Sequence, residues 1–197
     1  MCSKRGMRLW LVCGLMASAG FAVATEPAVR VELVDYEGLM AKVKKHEGKV
    51  VVLDCWSTSC PPCVKEFPGL VALADTHPDT VVCLSLAVEY DGFGKPEECV
   101  PPVQAFLEKV GAFRIVNCVA SEEADAIYKK LDLASVPAVY IWKTDGSLRV
   151  RYDDEMASRT LGRAFSYADV DATVRSVLAE QGERSSQSHR ATERPLK

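Results

Sequence analysis

Apolar residues recur along this chain with two alternating periods. Val29 to Val34 (VRVELV) alternates apolar and polar positions, which predicts a strand with one wet face. Asp35 is placed to cap a helix over Tyr36 to His46, with Leu39, Met40 and Val43 on one side and Gly48 closing it. Lys49 to Asp54 contains the unbroken β-branched run Val50 to Leu53, the pattern of a strand covered on both faces. After Cys63 the apolar positions return to helical spacing at Phe67, Leu70, Val71 and Ala74. Pro68 lies inside that helix, where its missing N–H predicts a kink.

Thr80 to Val88 is a second strongly apolar strand, and Glu89 to Pro102 is rich in Gly, Pro and acid, which predicts a loop. Val103 to Val110 reads as a short amphipathic helix and Phe113 to Val119 as a strand. Ser121 opens a helix over Glu122 to Leu131. Val139 to Trp142 and Leu148 to Tyr152 form a hairpin around Lys143–Ser147, because Asp-Gly tolerates positive φ. Ser166 and Asp169 resemble a capping box for a last helix that turns Val170, Val174, Val177 and Leu178 inward. Residues 183–197 have almost no apolar positions and are expected to be disordered. No internal repeat is present. Strands alternating with helices, then a hairpin and a helix, predict one α/β sandwich with a mixed central sheet over residues 25–182.

Composition narrows the setting. The chain has 197 residues, 48% hydrophobic and 26% charged, within the range of one globular domain. Residues 1–24 have the layout of a removable export signal: Lys4, Arg5 and Arg8, then an apolar run from Leu9 to Phe21, then Ala22-Val23-Ala24. The apolar run is shorter than the roughly 20 residues that span a bilayer. A membrane link is expected only if the segment stays uncleaved as an anchor. Cys13 lacks the small preceding residue that a lipoprotein signal wants. Without the segment the chain carries 21 Lys+Arg against 27 Asp+Glu, a formal charge of −6. That acidic balance, with no basic run, argues against a nucleic-acid partner.

Six cysteines then remain: Cys55, Cys60, Cys63, Cys83, Cys99 and Cys118. Export places them in an oxidising compartment, where a single CxxC is redox-active more often than metal-binding. A zinc site needs four ligands, and His46, His77 and His189 are scattered with no second cysteine pair, so no metal is expected. Cys60-Pro61-Pro62-Cys63 sits at the start of a helix, whose amide dipoles favour a thiolate on the first cysteine. Cys60 is the candidate nucleophile. Cys63, one turn in and more buried, is the candidate resolving thiol. The alternative is a static structural disulfide, which gains little from so short a loop. Neither Pro61 nor Pro62 has an N–H, so the Cys60 thiolate keeps chiefly the Cys63 donor. A less stabilised thiolate favours a reductant over a strong oxidant. Asp54 ends a buried strand six residues before Cys60; desolvation there raises a carboxyl pKa and suits it to exchange a proton with Cys63. A solvated strand-end acid is the alternative. Cys55, Cys83 and Cys118 fall in apolar strands as small hydrophobes, and Cys99 in the loop is either free or paired with Cys118 or Cys83.

Asp54, Trp56, the Cys60–Cys63 turn, Pro68 and Val136-Pro137 before a hairpin together resemble the thioredoxin fold. The intervening helix and strand, Val103 to Val119, and the phrase Cys63-Val64-Lys65-Glu66-Phe67-Pro68 are similar to the TlpA/ResA branch of exported thiol–disulfide oxidoreductases. The resemblance runs from about Val29 to Leu178 and implies a three-layer sandwich with an inserted helix–strand unit. It implies that Glu66 tunes the active thiols, where the residue type alone would equally suit a bland helix surface. It places Trp56 beside the dithiol as a wall that substrate meets. It also implies a cis Val136–Pro137 bond opposite the dithiol, with the Val136 backbone open to an extended substrate segment. Two departures stand out: much of that branch has a neutral residue where Asp54 stands, and Ser59 replaces the aromatic that often precedes the first cysteine. The implied partners are protein thiols or disulfides and an upstream electron donor, with no cofactor and a monomeric protein. Two other readings use the same fold: a copper-binding chaperone, which needs a further soft or imidazole ligand, and a thiol peroxidase. Thr58 has the spacing that the peroxidase reading needs, but the CxxC would then be unexplained.

Overall fold

The computed structural model describes residues 28–192, with side chains as far as Glu183. The expected signal segment, residues 1–24, lies outside the described residues. Six strands form one sheet in the order β1-β4-β3-β2-β5-β6: β1 Val31–Val34, β2 Val50–Trp56, β3 Val81–Ala87, β4 Val116–Ala120, β5 Ala138–Trp142 and β6 Leu148–Tyr152. β1, β4, β3 and β2 run parallel, and β5 and β6 run antiparallel to their neighbours, so the sheet is mixed as expected. Helices cover both faces, giving three layers. α2 (Pro61–Thr76), α3 (Val100–Lys109) and α6 (Tyr167–Thr192) send Phe67, Leu70, Val103, Leu107, Val170 and Val174 into one core. α1 (Tyr36–Lys45) and α4 (Ala124–Leu131) send Leu39, Val43, Ile127 and Leu131 into the other.

β2 is the centre of this arrangement. It pairs with β3 on one side and β5 on the other, and all seven of its residues are buried. Its side chains alternate between the cores as a strand requires: Val50, Val52 and Trp56 face α2 and α6, while Val51, Leu53 and Cys55 face α1 and α4. The period of two puts Asp54 on the α2/α6 side, an acid among apolar neighbours.

Several boundaries differ from the sequence pattern. β2 continues to Trp56 because the parallel register with β3 pairs Cys55 with Leu86 and Trp56 with Ala87. The stretch expected as loop up to Pro102 tightens into a 3₁₀ turn at Pro96–Cys99 and enters α3 at Val100. Pro101 and Pro102 fit there because the first helical turn has no N–H bonds to lose. A short helix, α5 (Asp154–Thr160), follows β6 where none was expected; the Asp153 carboxylate caps it by accepting the Met156 N–H at 2.8 Å. α6 runs on to Thr192, so the polar stretch expected to be disordered from residue 183 is helical that far. Its Glu, Arg, Gln and Ala residues are compatible with a helix, and no proline interrupts it before Pro195.

Candidate functional site

The dithiol stands where the parallel strand β2 delivers the chain to α2. Cys60 is the cap residue of that helix, with extended backbone (φ −99°, ψ 100°), and Pro61 and Pro62 fill its first two positions. Both prolines are exposed, Cys60 is half-buried, and Cys63 is 3% exposed. The two cysteines are joined as a disulfide with Cα atoms 5.3 Å apart. The Cys63 N–H donates to Cys60 Sγ at 3.3 Å, the one donor expected to survive between two prolines. Across from it the Val136–Pro137 bond is cis, and the Val136 carbonyl oxygen lies 3.8 Å from Cys60 Sγ. The structure therefore brings Cys60, Pro61, Pro62, Cys63, Val136 and Pro137 together at one end of the sheet.

The approach to Cys60 is held by the first residue of the Gly- and Pro-rich stretch that follows β3. Glu89, two residues past β3, accepts the Thr58 N–H in a short hydrogen bond and the Ser57 hydroxyl at 3.2 Å. Ser57 Oγ in turn accepts the Ser59 N–H at 3.1 Å, and the Ser57 carbonyl accepts the Cys60 N–H at 3.2 Å. An acid in a Gly- and Pro-rich stretch carries no local signal of that role.

Behind the dithiol, Asp54 is 4% exposed, and burial raises its carboxyl pKa to about 7. A hydrogen bond from the Tyr167 hydroxyl to Oδ2, 2.5 Å long, works in the opposite direction. The strand-end acid is thus desolvated rather than solvated. Tyr167 opens α6 and belonged to no sequence motif. Its ring lies so close to α2 that a Cβ on Gly69 would sit 2.3 Å from the Tyr167 Cβ. A glycine in the interior of an otherwise well-formed helix is the one local hint of such an approach.

Glu66 accepts the Tyr167 N–H at 3.4 Å, so it contacts the start of α6. Trp56 requires a correction. It is fully buried, with ring centroids 4.8 Å from both Phe67 and Phe106, and offers no surface to a substrate. The extra ladder residues of β2 turn its side chain inward beneath α2 and α3. Cys55, Cys83 and Cys118 are buried free thiols, and Cys99 is free and half-exposed. Burial pushes Cys83 and Cys118 up to about 12. Among the described residues no group of three or more His, Cys, Asp or Glu side chains is arranged to hold a metal ion.

No family model matches the sequence. Over 101 residues it is 42% identical to the thiol-disulfide oxidoreductase ResA of Halalkalibacterium halodurans, a match covering 51% of this chain and 53% of that protein. The chain thus spans about half the length of this curated relative. Among solved structures, a thiol:disulfide interchange protein of the thioredoxin family from Chlorobium tepidum superimposes with a TM-score of 0.52 at 18% identity, covering 68% of this chain and 83% of that one. The exposed lipoprotein thioredoxin of Streptococcus pneumoniae gives 0.50 at 14% identity, covering 68% and 89%. The fold is that of thioredoxin, and the sequence is ResA-like.

Proposed function

We propose that the protein is an exported thiol–disulfide oxidoreductase that reduces protein disulfides outside the cytoplasm. The observation that carries this reading is the CPPC pair at the N-terminus of α2, with Cys60 Sγ beside the Val136 carbonyl and the Cys63 N–H directed at it. In the reduced protein the Cys60 thiolate attacks one sulfur of the partner's disulfide, and the other partner sulfur leaves as thiolate. Cys63 then gives up its proton, attacks Cys60, and releases the partner reduced. Asp54, on the same side of β2 as Cys63, takes that proton; a carboxyl titrating at about 7 is matched to the task.

The exposed Pro61 and Pro62 and the half-buried Val136 and Pro137 form the surface against which an extended partner segment lies, with the Val136 backbone available for pairing. Glu66 serves the site through Tyr167. An upstream electron donor restores the dithiol. The reducing direction is supported by the two missing donors at Pro61 and Pro62, since a weakly stabilised thiolate makes the disulfide harder to reduce. Export rests on the pattern of residues 1–24. Among the described residues, no helix is long and apolar enough to cross a membrane.

The test is reduction of insulin or of a partner disulfide by the wild-type protein, Cys60→Ser and Cys63→Ser. Cys60→Ser is expected to be inactive, and Cys63→Ser to accumulate a mixed disulfide through Cys60. Full activity in Cys60→Ser overturns the reading, and a strongly oxidising reduction potential overturns its direction.

A further inference from the structure

Tyr167 is held at three points by the groups it serves. Its ring occupies the space above Gly69 that any side chain would close. Its N–H rests on Glu66 Oε2, and its hydroxyl donates to Asp54 Oδ2 across 113 residues of sequence. The helix start behind it is fixed as well: Asp169 accepts the Ser166 N–H at 2.9 Å and is paired with Arg163 through both carboxylate oxygens. A hydroxyl placed this firmly selects between the two oxygens of the acid it meets. Oδ2 is engaged, and Oδ1 is uncommitted among the described residues.

We infer that Tyr167 is a positioning residue for the resolving step: by holding Oδ2, it presents Oδ1 of Asp54 as the oxygen that takes and returns the Cys63 proton. This rests on the dithiol reading above. In the step, the Cys63 S–H bond breaks and its proton passes to Oδ1. The Cys63 sulfur forms its bond to Cys60, the bond from Cys60 to the partner breaks, and the electron pair leaves on the partner's sulfur. No further oxidant or reductant is needed.

The surroundings of Asp54 leave it to titrate alone near neutral pH. Cys55 on its own strand and Cys83 on β3 are pushed up first by burial and then by the Asp54 charge, so both are neutral thiols there. Burial also holds Tyr167 well above the ordinary tyrosine value, which keeps its hydroxyl a donor. From α2, Cys63 supplies the proton, and Glu66 is occupied with the Tyr167 N–H.

Tyr167→Phe retains the ring over Gly69 and removes only the hydroxyl. The Asp54 midpoint is read from the carboxyl infrared band of aspartate-labelled protein as the difference from Asp54→Asn. The rate of mixed-disulfide resolution is followed against pH in parallel. The midpoint is expected to rise by about one pH unit, a tenfold change in the proton equilibrium and the size expected for losing a hydrogen bond to a charged group. The rate profile should move with it, and the hydroxyl should have no effect in an Asp54→Asn background. Fluorotyrosine at position 167 preserves the packing and strengthens the donor, and should move the midpoint down. An unmoved midpoint in Tyr167→Phe overturns the inference whether or not turnover is seen. Turnover that survives Cys60→Ser overturns the dithiol reading on separate evidence.

Discussion

Glu89 and Thr58 tie together the ends of two neighbouring parallel strands. Trp56 and Ala87 are paired in register, and each chain leaves the sheet within two residues of that pair. The Glu89 carboxylate accepts the Thr58 N–H there, and its second oxygen takes the Ser57 hydroxyl. Ser57 and Thr58, which would otherwise belong to an open loop before Cys60, are thus bonded to the chain just past β3, and Ser57 in turn accepts the Ser59 N–H. The dithiol is positioned by the sheet as well as by its helix.

Glu89→Ala should therefore loosen the approach to Cys60. A hydrogen bond to a charged group contributes about 1.5–3 kcal/mol, and the Ser57 end of this one is buried. A stability loss in that range is expected in urea unfolding, with faster amide exchange at Thr58. An unchanged unfolding midpoint together with unchanged exchange would show that the carboxylate holds nothing.

Gly69→Ala should reverse the usual sign of a helix substitution. Inside a helix, alanine is ordinarily better than glycine by about 1 kcal/mol. Here the new Cβ would sit 2.3 Å from the Tyr167 Cβ and 2.4 Å from its Cγ, so the ring must move. Overpacking costs about 1–3 kcal/mol and outweighs the helix gain. Thermal unfolding should show a net loss, with a change in the Asp54 midpoint as the Tyr167 hydroxyl is displaced. A more stable Gly69→Ala protein would mean that Tyr167 yields without cost.

What the sequence made readable was local. The apolar runs of β2 and β3, the Asp35 cap of α1, the donor count at Pro61 and Pro62 and the hairpin at Asp145-Gly146 each follow from a few adjacent residues. The cis bond at Val136 came only by resemblance, since composition favours trans. Relations across the fold were not readable. Nothing near residue 167 points to residue 54, and Glu89 looks like any loop acid. Resemblance puts Trp56 where substrate meets it, whereas the register with β3 carries the ladder on to Trp56 and its ring is buried. The site's acid was legible; its partner was not.

Thiol reactivity should separate the cysteines by burial. In the oxidised protein, alkylation followed by peptide mapping should modify Cys99 first, since it is free and half-exposed. Burial and the nearby Glu89, Asp91 and Glu98 raise its pKa, so its rate should climb as pH rises beyond 9. Cys55, Cys83 and Cys118 should remain unmodified until the protein is unfolded. Non-reducing maps should show the Cys60–Cys63 bridge and none to Cys99. A Cys99 disulfide, or rapid labelling of Cys83 in the folded protein, would contradict this arrangement.

Asp54 should make the protein less stable as pH rises toward neutrality. Its pKa is raised from 3.8 to about 7 by burial, so the folded chain holds this proton more tightly than the unfolded chain does. Between those two values the folded state binds more protons, and the slope of unfolding free energy against pH is negative. The contribution is fully present below about pH 4 and is lost as pH climbs through about 7. Three units at 1.36 kcal/mol each set a ceiling of about 4 kcal/mol. Asp169 acts in the opposite sense, because Arg163 beside it holds its carboxyl well below the usual range and its stabilisation is lost as pH falls. The Asp54 effect is therefore isolated by comparing Asp54→Asn with wild type across pH. Asparagine keeps an oxygen for the Tyr167 hydroxyl and cannot ionise. The variant should be the more stable protein at pH 8, with the advantage shrinking steadily toward pH 4, while its resolving step slows and loses its inflection near pH 7. A constant stability difference between pH 4 and 8 would mean that Asp54 does not titrate in that window, and the acid–base role would fall with it.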